Sequence, residues 1–493
     1  MSTCATERIM ANCITMKKIC ALLIGMFSVL LLPGQPGDTI GIFTESEYLR
    51  WVKAWHPLVK QANLLTDEAR ASLREARGGF DPKLYADWEQ KSFDGTNYFS
   101  IGEGGFKIPT WYGLEVKGYF NATNGVYLNP ERNLPAAGQA VAGIKASLGQ
   151  GLFIDERRAA LQQARMLENI NEAQRQNIIN DILLDATIAY WDWVTRYNEV
   201  RVIEQARDVA RLRLRAIVAS YTEGDMAAVD TLEAYIQVQN RDFDLNEALL
   251  AYRNAGLMLS NFLWLENDIP VEITDALRPP TIDELEMSPM LPPMAGFLES
   301  FDAMHPLLRF YQLKLSQLDI ERRLAAEYLK PRLDVEYNFL GDGFRFGELT
   351  DPNNGGVDNI LLQNYKWGVN FSFPLFLRKE RGKLDLTKIK IADTDFTFQQ
   401  KRQELTNKVR DAYNEWQNTR QQITLYADIT NNYRTLFNAE TIRFSLGESS
   451  VFLVNAREQS LIDAQIKLVK LQADFYKNEN KVIWAAGRLP TKE

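Results

Sequence analysis

Histidine is almost missing from this chain of 493 residues, which has only His56 and His305. Cysteine stops early: Cys4, Cys13 and Cys20 are the only three. Beyond residue 20 there is no disulfide, no Cys-ligated metal and no cysteine nucleophile. No P-loop, Gly-x-Ser-x-Gly or supported paired-carboxylate motif is present. The expectation is therefore a protein with no catalytic residues, no metal and no cofactor. Positive charge is also short. The chain has 56 Lys and Arg against 64 Asp and Glu, a net charge of -8, so nothing drives it generally toward nucleic acid. After residue 32 no stretch approaches the length of a helical membrane span. That leaves a β-barrel span open, since its signal is only alternation over about ten residues. What is plentiful is apolar surface: 46% hydrophobic and 24% charged residues describe a chain that folds.

The first residues read as an address. Met16-Lys17-Lys18 precedes a mostly apolar run from Ile19 to Leu32, which ends in Pro33-Gly34-Gln35-Pro36-Gly37. A basic start, a short apolar core and a small-residue break describe a secretory signal peptide over 1–37, with Met16 a candidate true start. The apolar run is too short to cross a ~30 Å hydrocarbon layer as a helix.

The remainder says nearly the same thing twice. His56-Pro57 recurs as His305-Pro306, and Pro82 recurs as Pro331, both at an offset of 249. Leu152-Phe153 then matches Leu375-Phe376, Tyr190 with Trp193 matches Tyr413 with Trp416, and Gly224 matches Gly447, all at an offset of 223. Two tandem units follow, 43–270 and 295–490, with a Pro-rich linker at 271–294 and about 26 extra residues in the first unit between Pro82 and Leu152.

Each unit reads as helix, strands, then a long helical hairpin. The opening helices are expected over about Ser46–Ala76 and Pro306–Tyr328. Strict alternation marks Leu333–Phe339 and Trp367–Phe373 as strands within a strand pair at 330–376. The strand region of the first unit, 80–153, offers three looser alternating segments, at about 82–93, 112–121 and 139–149. A hairpin needs two. The first and third are preferred, with 94–138 as an outer loop, and 112–121 in place of 82–93 is the close alternative. Between Ile179 and Tyr221 apolar residues recur at a mean spacing near 3.5, the coiled-coil period. Helical hairpins are thus expected over 155–265 and 383–486, each turning at a glycine, Gly224 or Gly447.

Those features carry a resemblance. Leu375 to Leu384, Ala412-Tyr413 with Trp416, and Phe444 to Ser450 have first-unit counterparts in Leu152 to Arg158, Ala189-Tyr190 with Trp193, and Gly224-Asp225 leading to Asp230–Ala234. Duplicated in this order behind a signal peptide, they resemble the TolC-like outer-membrane efflux proteins. The resemblance implies an α+β membrane protein, a homotrimeric channel with two tandem repeats. Four strands per chain would close a 12-stranded transmembrane β-barrel, continued by a long α-helical coiled-coil barrel. It implies a passive exit duct in the outer membrane, reaching into the periplasm and touching outer-membrane lipid. Its partners would be a periplasmic adaptor and an inner-membrane pump of RND, ABC or MFS type, for efflux or type I secretion, with no nucleic acid. A soluble coiled-coil scaffold or adaptor is the alternative.

Such channels narrow at the periplasmic tip. Gly224, Asp225, Asp230 and Glu233 from the first hairpin, and Gly447, Glu448, Asn455 and Arg457 from the second, are the candidate gate residues. Asp230 and Glu233, three apart, share a helix face, and threefold symmetry would turn such carboxylates into rings. The competing reading is of ordinary solvated charges, with Asn455, Arg457 and Glu458 as interhelix partners. His56 and His305 are read as helix starters, and the aromatic stripe of Tyr190, Trp191 and Trp193 as packing.

Overall fold

The computed structural model describes residues 41–274, 276–285, 291–299, 301–343 and 364–489. The segment 1–37 expected to be a signal peptide, and residues 344–363 of the loop expected at Gly341–Asn364, lie outside the described residues. The chain divides into two compact units. The smaller, Met1–Phe43 with Thr274–Arg278, pairs strand β1 (Gly41–Ile42) in parallel with β6 (Leu277–Arg278). The larger, Thr44–Ile273 with Pro279–Glu493, contains the other elements.

It opens with α1 (Glu45–Trp55) and α2 (Pro57–Gly78). The single helix expected over Ser46–Ala76 is therefore two. The reason is local: the residue before a proline is pushed out of the helical region, and His56 has ψ 131°. Its Nδ1 accepts the Leu58 N–H at 3.3 Å and caps α2. His305 does the same ahead of α7 (Pro306–Glu327), accepting from Leu307 at 3.2 Å. Both histidines are helix starters, as expected.

Four strands follow: β2 (Lys83–Phe93), β3 (Thr96–Pro109), β4 (Leu114–Asn124) and β5 (Gln139–Ser147). All three alternating segments are strands, and the expected loop 94–138 contains the whole of two, β3 and β4. With β7 (Arg332–Asp342) and β8 (Tyr365–Ser372) they form one antiparallel sheet, in the order β2-β3-β4-β5-β7-β8. The sheet thus has six strands where the sequence reading expected a chain to supply four. The strand that alternation missed, β3, carries Gly102, Gly104 and Gly105, which erase its pattern. Its turn was legible: Asp94-Gly95 is a hairpin dipeptide, and both residues hold positive φ, 52° and 73°.

From β5 the chain enters α3 (Glu156–Glu223), capped by Asp155, whose Oδ1 accepts the Arg158 N–H at 2.8 Å. Its 68 residues span ~100 Å at 1.5 Å per residue. It turns at Gly224, φ 90°, and returns as α4 (Ala228–Ser260). After β8, α8 (Arg378–Ser445) is again 68 residues long, turns near Gly447, φ 78°, and returns as α9 (Val451–Ala485). Left-handed glycine at each tip lets a helix end without a Cβ clash.

Between the hairpins lie α5 (Met294–Leu298) and α6 (Phe301–Met304). The Pro-rich stretch ahead of them is partly packed down. Pro279, Pro280 and Thr281 are buried. Asn198 of α3 donates to the Pro280 carbonyl at 3.4 Å and accepts from the Ile282 N–H at 3.0 Å. Phe297 and Phe301 join Leu308, Val409, Trp416 and Phe475 in an apolar core that ties α7, α8 and α9 together.

Candidate functional site

The six-stranded sheet has its polarity arranged the reverse of a soluble sheet. Cross-strand register places Leu84, Phe106, Gly118, Ala142, Phe339 and Tyr365 in one row on one face. The next row on that face includes Val116, Ile144, Tyr337 and Trp367. This apolar face is open: Trp88 is 70% exposed, Trp367 62% and Phe371 66%. The opposite face is polar and more enclosed, with Asp334 at 4% and Asn338 at 2%. There Lys117 pairs with Glu336, Lys145 lies 3.2 Å from Asp334, and Arg332 lies 2.9 Å from Asp334. Ser147 donates to Asp334 at 2.7 Å and Tyr85 to Glu103 at 2.8 Å. Water-soluble sheets hide the apolar face. A sheet that hides its ions and exposes its aromatics suits a wall with lipid outside and water inside.

At the far end of the helices stand the tips. Gly224 and Gly447 make the turns, with Asp225 and Glu448 exposed beside them. Asp230 helps to start α4, where its Oδ2 accepts the Ala227 N–H at 3.3 Å. Glu233, one turn on, is half-buried. On the second hairpin Asn455 is drawn into an interhelix cluster. Its Oδ1 accepts from Arg213 of α3 at 2.9 Å, and the Arg213 guanidinium also grips Glu458 of α9 with two bonds, 2.8 and 3.0 Å. Arg457 Nε stands 4.0 Å from Glu440, a charge contact too long for a hydrogen bond. Glu440 is buried and accepts from Ser449 at 2.5 Å. Beneath these groups Ile217, Ala234 and Val451 pack the two hairpins together. The candidate residues thus fall into a rim on the first tip (Asp225, Asp230, Glu233) and a charged bolt between hairpins (Arg213, Asn455, Glu458). Arg213 and Glu440 were not among the sequence candidates. Arg213 had a signal: positions 206, 210, 213 and 217 keep helical spacing, so an arginine stands on the buried stripe and needs a buried partner.

The aromatic stripe is packing. Trp191 stacks on Tyr476 at 4.4 Å and donates to Glu45 at 3.0 Å, and Tyr190 stacks on Tyr48 at 5.6 Å. His305 is buried against α8 and α9. Burial pushes its pKa down to about 4, with Lys408 adding to the fall and a hydrogen bond to the Ala485 backbone opposing it.

One apolar surface lies open on the helices. Val229, Leu232, Ile236, Phe243, Leu250 and Leu257 of α4 are all exposed, and from Ile236 onward they recur every seven residues. That is a coiled-coil seam left uncovered among the described residues. Among the described residues no helix is long and apolar enough to cross a membrane, and no group of His, Cys, Asp or Glu is arranged to hold a metal.

The model of the outer membrane efflux protein family matches residues 299–488. In fold, the chain is similar to the Campylobacter jejuni CmeC outer membrane channel, with 13% identity and TM-score 0.63 over 90% of this chain and 85% of that one. It is equally similar to the outer membrane protein VceC of Vibrio cholerae, at 13% identity and TM-score 0.62 over 90% and 96%. The open state of the Neisseria gonorrhoeae MtrE outer membrane channel gives 14% identity and TM-score 0.60 over 90% and 88%. No curated protein sequence matches the chain.

Proposed function

We propose that this protein is an exit duct, because residues 299–488 match the outer membrane efflux protein family and the fold of outer-membrane channels runs through 90% of the chain. It sits in the outer membrane, extends into the periplasm, and passively carries substrate outward. It performs no chemistry. The observation that carries the reading is the inverted sheet, open on its aromatic face and enclosed on its ionic face. That arrangement disfavours a soluble scaffold, which would expose the aromatics to water at about 25 cal/mol for every Å².

Three copies form the duct in this reading, and the two tandem units, 43–270 and 295–490, give each copy its pseudo-repeat. Closure of the sheets into a barrel removes their free edges, which lipid does not tolerate. The seam on α4 supports a second copy as the neighbour of the helices. A periplasmic adaptor docks on the helical part, and an inner-membrane pump of RND, ABC or MFS type supplies the energy. Residues 1–37 serve as the export signal. At the tip, Asp225, Asp230 and Glu233 form rings of carboxylates that favour cations.

Detergent-extracted protein is expected to be a threefold particle with a hollow stem, and to conduct ions in planar bilayers with a cation preference that Asp230→Asn reduces. A monomeric rod released by carbonate extraction ends the duct reading. An unchanged reversal potential in Asp230→Asn removes that ring alone.

A further inference from the structure

The β2–β3 hairpin is the feature for which the channel reading has no use, and we propose that it is part of the barrel wall. Each chain then contributes six strands, and β2 of one copy pairs with β8 of the next. This rests on the trimeric-channel reading above. Three chains of six strands close a barrel of eighteen.

Three observations lead there. The hairpin crosses the full height of the sheet: Trp111, in the turn after β3, stacks at 4.5 Å on Phe80, which lies just before β2. The chain thus returns to the level it left, as it does through β4 and β5. The strands are long enough, 11 and 14 residues where a tilted membrane strand needs about 9–11. Finally, the faces are continuous. Leu84 and Trp88 of β2 and Phe106 and Ile108 of β3 lie on the apolar face with Val116 and Phe120, while Asp87 and Glu103 lie on the polar face with Asn121.

The alternative is a four-stranded contribution, with the hairpin peeled away and β4 as the edge. That would break a ladder running unbroken from Ser100↔Asn124 to Pro109↔Glu115. In hydrocarbon each orphaned backbone group costs several kcal/mol. Six strands in antiparallel succession also leave β2 and β8 running in opposite directions, so the edges of neighbouring copies meet antiparallel, as every internal pair does. Since barrel diameter grows roughly linearly with strand number, the mouth would be about half as wide again as that of twelve strands.

The test uses the whole chain in outer membranes. Cysteine is confined to residues 4, 13 and 20, so after these become serine every new thiol is informative. Glu89→Cys is combined in turn with Lys366→Cys, Gly368→Cys, Asn370→Cys and Ser372→Cys, the four wet-face positions of β8. At least one pair is expected to give oxidant-dependent links between copies, reversed by reductant, in a protein that still runs as a trimer. An intact trimer without such links overturns the proposal, above all if Asn121→Cys on β4 links to the same β8 positions instead. Loss of the trimer in the cysteine-free parent strikes the channel reading itself. Imaging of the unsubstituted trimer decides independently: twelve strands in the wall overturn the proposal, eighteen uphold it.

Discussion

α3 and α8 have the same length, 68 residues, and the same place in their halves of the chain, yet α3 has 23 buried residues and α8 nine. α3 packs against α2, α4, α7 and α9. Its buried positions run from Ala159 to Ile217. α8 packs mainly on α7 and α9 and leaves Leu386, Ile389, Phe396 and Leu425 in the open. Equal length with unequal burial teaches that two halves with the same order of long helices need not share the core equally. α3 buries far more of itself within one chain, whereas α8 and the seam of α4 leave large apolar side chains open, as the trimer proposed above requires.

The largest expected effect separates these two kinds of helix. Phe243→Glu with Leu250→Glu places two charges on the α4 seam, where both residues are exposed in the single chain. The monomer is expected to keep its helix content by circular dichroism, while the trimer disappears from mild-detergent gels. Trp193→Ala is the counterpart in α3, at a side chain 1% exposed. It costs about 3–5 kcal/mol by loss of packing and is expected to reduce folded chain and trimer together. If the seam variant stays trimeric, α4 does not face a neighbour, and the contrast between inner and outer helices collapses.

A smaller effect is expected where the inner helix is bolted to the second hairpin. Arg213→Met leaves Glu458, 4% exposed on its side chain, without its guanidinium. Removal of one partner from a buried pair costs about 3–5 kcal/mol, whereas replacing both by apolar groups is often close to neutral. Urea unfolding should therefore show Arg213→Met well below the parent and Arg213→Met with Glu458→Met near it. Equal stability of the single variant and the parent would show that the bolt bears no load.

Much of this was legible in the residues. Helix hairpins were marked by spacing near 3.5 and by Gly224 and Gly447, because long seams repeat the same signal many times. The helix-starting histidines were marked by the His-Pro pair, a local rule of backbone sterics. Alternation identified β7, β8 and three of the first four strands. β3 escaped because glycines on both faces remove the period, so that only the Asp94-Gly95 turn betrayed it. Arg213 and Glu440 escaped for another reason. A buried charge is defined by partners distant in sequence, and no spacing within one helix names them.

The smallest effect expected compares the two histidines that start α2 and α7. His305 is the deeper, 2% exposed against 7% for His56, and both are held below the ordinary imidazole value by burial. The folded chain keeps His305 neutral down to about pH 4, while the unfolded chain takes up a proton near 6.5. Unfolding therefore binds protons between those values. The stability that the neutral cap contributes is whole above about pH 6.5 and is lost as pH falls toward 4, by about 3 kcal/mol at most. A protonated Nδ1 is a donor and no longer accepts the Leu307 N–H. Amide exchange at 307–309, corrected for its intrinsic pH dependence, is expected to accelerate between pH 7 and pH 4.5. In His305→Asn, which caps without titrating, that change should vanish while α7 remains folded. Acceleration that persists in the asparagine variant would place the acid sensitivity outside His305.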